Sequence, residues 1–77
     1  MPQPTAYQVG EQIVRLVEEE LPSEVYDKAP DFFTSVVEKT KDILKTMDQF
    51  GGEATPAQEQ ALNNMLAGVQ KWFHDGD

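Results

Sequence analysis

Seventy-seven residues, 39% of them apolar, provide for one small domain with a single core. Fourteen Asp and Glu against six Lys and Arg leave a net charge of −8, a field that repels phosphate backbones and anionic lipid, so direct nucleic-acid binding and membrane attachment are both disfavoured. With no cysteine there are no disulfides, thiolate metal sites or thiol nucleophiles, and packing alone must hold the fold.

Proline and glycine punctuate the chain at Pro2, Pro4, Pro22, Pro30, Gly51-Gly52 and Pro56, and the intervals carry helical rather than strand periodicity. The first long helix is predicted over 5–21. Thr5 supplies its cap and Gln8 the capping-box partner, and its apolar stripe is Ala6, Val9, Ile13, Leu16, Val17 and Leu21. Pro22 ends it, because the residue before a proline avoids helical geometry. A short connecting helix over 23–29 follows, capped by Ser23, with Val25 and Tyr26 closing one end of the core.

The second long helix is predicted over 30–50, with Pro30 in its first turn and Gly51-Gly52 as its stop. Phe32, Phe33, Val36, Val37, Thr40, Ile43, Leu44, Met47 and Phe50 fall within one arc at about 100° per residue. The third, over 55–74, repeats the Thr-Pro start with Thr55, Pro56 and Gln58. Leu62, Met65, Leu66, Val69, Trp72 and Phe73 form its stripe, and Ala57, Ala61 and Gly68 its small-residue edge, where another helix can approach closely. The expected fold is an all-α bundle: a single domain over 1–77, with 1–4 and 75–77 as flexible ends. The second and third long helices form an antiparallel hairpin, and the first packs across it.

Chemistry finds little purchase. Glu18, Glu19 and Glu20 are consecutive, so on a helix they diverge by about 100° each and form no catalytic pair. Glu20 stands out because it projects into the apolar arc of the first helix, where its carboxylate either escapes to solvent as the helix ends, the simpler outcome, or marks a polar spot in an interface or pocket. His74, the only histidine, sits in a last turn beside Asp75 and Asp77, a place for a capping cation rather than a metal ligand. The serines and threonines lack a neighbouring base, and Gly51-Gly52-Glu53 puts an acid where a phosphate would sit. Lys39, Lys41 and Lys45 alternate with Glu38, Asp42 and Asp48 at intrahelical salt-bridging offsets. No catalytic residue, metal or cofactor is expected.

The second long helix opens Pro30-Asp31-Phe32-Phe33-Thr34-Ser35 in a small, acidic, all-helical chain, and in size and composition the chain resembles an acyl carrier protein. That family has an Asp-Ser-Leu triplet at this point, whose serine takes a phosphopantetheine arm. This chain has no Asp-Ser pair, so no such arm is expected. The expected function is that of a non-enzymatic, cytoplasmic interaction module with a protein partner, self-associating as a homodimer. The candidate partner surface is Phe32, Trp72, Glu18, Glu19 and Glu20. Phe32 and Trp72 are singled out because they lie at the outer edges of their arcs. The alternative is an acidic decoy that occupies a nucleic-acid-binding protein through Glu11, Glu18, Glu19, Glu24 and Asp27; residues 1–30 hold six acids against two bases.

Overall fold

The computed structural model describes residues 5–75, with no strand among them, as α1 (Ala6–Arg15) continued by a π-helical turn (Leu16–Glu20), α2 (Ser23–Tyr26), α3 (Pro30–Gln49) and α4 (Pro56–Asp75). Of the ends expected to be flexible, 1–4, 76 and 77 lie outside the described residues, whereas the backbone of Asp75 closes α4. No helix among the described residues is long and apolar enough to cross a membrane.

Local chemistry explains most boundaries. At α1 the Gln8 N–H donates to Thr5 Oγ1 at 3.2 Å while the Thr5 N–H donates to Gln8 Oε1 at 3.0 Å, and Thr55 and Gln58 repeat the exchange at α4 with 3.2 and 2.9 Å. Each box satisfies two donors that a bare helix start leaves unpaired. Leu21 is extended at φ −70°, ψ 124°, as Pro22 requires. After Gln49, Gly51 and Gly52 take φ of 80° and 85°, and the Gly52 N–H returns to the Met47 carbonyl at 2.7 Å. Two successive left-handed residues are costly for any side chain but glycine.

One local expectation is corrected and one is refined. Ser23 is the first residue of α2 rather than its cap; the turn is tied by backbone N–H groups of Val25 and Tyr26 to the Pro22 carbonyl, both at 3.0 Å. Glu20 takes the simpler of its two expected fates and escapes to solvent at the end of the helix. The π turn closes with i→i+5 bonds and winds more loosely than an α turn, carrying Glu20 past the arc and bringing Leu21 onto the core in its place. Glu20 instead reaches Arg15, five residues back, at 3.9 Å, with both side chains more than half exposed.

The three long helices run up, down and up. α1 is antiparallel to α3, as the pairs Tyr7–Asp48, Gly10–Leu44 and Glu18–Lys41 show. Phe33–Trp72 and Thr40–Met65 make α3 antiparallel to α4, the expected hairpin. α1 packs on its own chain and touches both other helices extensively, while α3 and α4 meet each other more sparsely. Ile13, Phe33, Met47, Leu62 and Val69 are fully buried, with Thr40, whose hydroxyl donates to Met65 Sδ at 3.7 Å. Tyr26 closes one end, stacked on Phe33 at 5.9 Å and sharing a 2.7 Å hydrogen bond with Thr34.

The tightest glycine contact lies at Gly10, not at Gly68, where either a close helix approach or a merely tolerated glycine was expected. Gly10 is buried on α1, and a Cβ built there would stand 2.6 Å from Leu44 Cδ2 and 3.1 Å from Cγ. At Gly68 the vacant space is taken by the tip of the Phe32 ring, 3.3 Å from a built Cβ, so each glycine is covered by a side chain, Gly10 more tightly by Leu44 and Gly68 by Phe32. The two glycines therefore respond oppositely to substitution. Gly10→Val forces α1 off Leu44 and lowers stability by about 2 kcal/mol, a typical overpacking cost. In Gly68→Ala the exposed ring swings aside and the gain in helix propensity, about 1 kcal/mol at most, prevails. Urea denaturation of both variants checks the opposite signs.

Candidate interaction surface

The flank of α3 that meets α1 carries Lys41, Leu44 and Asp48. At 100° per residue, Phe32, Ser35, Lys39, Ile43, Thr46 and Phe50 fall on the other flank, beside α4. On α4, Leu66, Gln70 and Phe73 turn toward α1, and Ala57, Ala61, Asn64, Gly68 and Trp72 line the edge that looks back at that flank. α1 thus covers one side of the α3–α4 pair and leaves the other to solvent.

Two large apolar side chains are exposed, and both belong to the uncovered flank of α3: Phe32 at 38% and Phe50 at 71%. Phe32 meets Phe33 edge-on at 5.2 Å and rests over Gly68. Trp72 also meets Phe33 edge-on, at 5.8 Å, and is half-buried on the core. Phe32, Trp72 and Gly68 therefore form one end of the uncovered flank and Phe50 marks the other, with Ser35, Lys39, Ile43 and Thr46 between them on α3. Phe50, expected within the core arc, is a correction: it is the C-cap of α3, at φ −115°, ψ 31°, where the chain turns away before any helix covers it. Its place next to Gly51-Gly52 is the sequence signal for this.

The acidic candidates lie on the side toward α1. Glu18, Glu19 and Glu20 are exposed at the end of α1, and Lys41 Nζ is 3.3 Å from Glu18 Oε1. That pair crosses between helices, where the sequence suggested partners within α3 for the lysine. Glu11, Glu24 and Asp27 are exposed as well. The structure thus separates Phe32 and Trp72 from the glutamate run instead of gathering all five into one surface. His74 is exposed beside a groove lined by Gln12, Leu16, Gln70 and Phe73. Among the described residues no group of three or more His, Asp or Glu side chains is placed to hold a metal ion.

The electrostatic imprint of the acidic side is seen at Tyr7, whose hydroxyl donates to Asp48 Oδ2 at 3.5 Å. The negative charge of Asp48, helped by partial burial, that hydrogen bond and the charge of Glu11, raises the phenol above its ordinary value near 10. Because the folded value lies above the unfolded one, the stabilisation is complete below about pH 10 and is lost as pH rises through the folded value. Phenolate absorbance of Tyr26→Phe, in which Tyr7 is the remaining tyrosine, is expected to titrate above the ordinary midpoint. Adding Asp48→Asn brings it down.

No protein-family model matches the chain, and no curated protein or solved structure matches it.

Proposed function

We propose that the protein is a non-enzymatic protein–protein interaction module of the cytoplasm that associates with a second copy of itself through the open face of α3 and α4. The observation that carries this is the placement of charge against apolar exposure. In a chain of net charge −8, the strip from Phe32 to Phe50 on α3 and the facing edge of α4 from Ala57 to Trp72 hold no Asp or Glu among the residues named above. Two copies can meet on this strip without opposing carboxylates, and doing so removes two exposed phenylalanines per chain from water. Contact through the α1 side would set Glu11, Glu18 and Asp48 against their own images.

Cytoplasmic location draws support from the lack of cysteine, which suits a reducing compartment. The absence of catalysis draws support from the dispersal of polar chemistry, with His74 at the far end of α4 from Thr55 and the glutamates spread over the surface. An acidic decoy would use the opposite side of the molecule. There Glu11, Glu19, Glu24 and Asp27 are exposed, but Lys41 neutralises part of the patch at Glu18.

Light scattering coupled to gel filtration is expected to give twice the 8.7 kDa chain mass at micromolar concentration, with an affinity nearly independent of salt. Phe50→Ser is expected to weaken association about thirtyfold while circular dichroism stays helical, the loss of one aromatic anchor being worth about 2 kcal/mol. A strict monomer at every concentration, or self-association that collapses with salt, overturns the proposal.

A further inference from the structure

We infer that the two copies pack with their α3 helices antiparallel about a two-fold axis crossing α3 near residue 41, so that Phe32 of each seats against Phe50 of the partner subunit and Lys39 pairs with Asp42 of the partner subunit. The arrangement rests on self-association as proposed above and specifies its geometry.

Phe32 and Phe50 are 18 residues apart, five full turns at 3.6 residues per turn, so they lie on one line of the helix about 27 Å apart. Both are exposed, and they terminate the same strip. A closed dimer of identical chains uses the same patch on both. Only two such pairings lay α3 along its image. With the axis parallel to the helix, each residue meets its own copy, so Lys39 opposes the partner's Lys39 in the middle of the contact. With the axis perpendicular to it, position n meets position 82 − n. Phe32 then meets the partner's Phe50, and Lys39 falls opposite the partner's Ile43, one residue from the partner's Asp42. Lys39 and Asp42 are both exposed and sit at the margin of the strip. The perpendicular axis thus turns a central like-charge contact into two symmetric ion pairs and joins four aromatic rings into two contacts.

The dimensions agree. α3 is about 30 Å long, the second principal extent of the molecule is 28 Å, and a stable dimer requires about 800 Å² per partner, roughly one-seventh of the 5403 Å² accessible surface. Ala57 and Ala61 keep the α4 side of the strip low, so the partner's helix can lie against it.

Charge reversal tests the register. Lys39→Asp places two acids together at each pair position and Asp42→Lys two lysines, so each variant alone is expected to dimerise about tenfold more weakly than the wild type. Mixed together, the two variants restore both ion pairs and are expected to form a heterodimer of wild-type affinity. A mixture no tighter than either variant alone overturns the arrangement. A second measurement exploits the cysteine-free background. Under mild oxidation Ser35→Cys and Thr46→Cys chains are expected to cross-link with one another when mixed, and each poorly with itself. Preferential linkage of like with like shows the parallel axis and overturns the inference. If instead the wild type remains monomeric in light scattering at every concentration, self-association itself fails, and the arrangement with it.

Discussion

The crossing of α1 over α3 at Gly10 is the contact on which the remaining architecture depends. Because Gly10 has no side chain, its backbone comes directly onto Leu44, a distance that even one methyl group would violate. Tyr7 with Asp48 on one side of the crossing and Glu18 with Lys41 on the other align α1 along the same flank of α3. These flanking contacts are exposed and individually weak, so the crossing supplies the geometry and they supply the register. Once α1 occupies that flank it closes the core over Ile13, Phe33, Leu62 and Val69, and no other helix among the described residues covers the opposite one.

The π turn at the end of α1 shows what this packing demands of the sequence. An α-helical continuation would place the Glu20 carboxylate on the core, where desolvation is costly. The extra residue in the turn exchanges Glu20 for Leu21 at the cost of one turn of less compact hydrogen bonding, and the five-residue spacing then lets Glu20 meet Arg15 at the surface. The glutamate run is thereby kept in water, on the side of the molecule that already holds Glu11 and Asp48. The strip on the far side of α3, anchored by Phe32 and Phe50, meets an acid only at its margin, at Asp42. Segregation of charge follows from where α1 sits.

What could be read from the sequence was what local chemistry determines. The Thr5–Gln8 and Thr55–Gln58 boxes, the stop at Gly51-Gly52 and the break at Pro22 each depend on residues a few positions apart, and the stripes of α1, α3 and α4 supply the buried residues at the periods expected of them. Features that depend on which helix lies opposite were not legible. Gly10 and Gly68 are both helical glycines, and their sequence surroundings do not tell the seat of Leu44 from the seat of the Phe32 ring. Lys41 had acids at suitable offsets in its own helix, yet pairs with Glu18 because α1 brings that carboxylate within 3.3 Å. The escape of Glu20 to solvent was legible but the π winding that carries it there was not, and the fate of Phe50 depended on whether any element returned over the end of α3. Of the candidate surface, the position of Phe32 and Trp72 at the edges of their arcs was legible. Their separation from the glutamates was not.

The central claim is that α1 covers one flank of α3 and that the flank left open is where copies meet. Amide resonances followed by nuclear magnetic resonance from millimolar to micromolar concentration test this most directly. Shifts on dilution confined to the strip around Phe32, Lys39, Phe50 and Gly68, with Glu11, Val14 and Glu18 unmoved, are the expected result. Shifts concentrated on α1 and the glutamate run, or none anywhere, would contradict it.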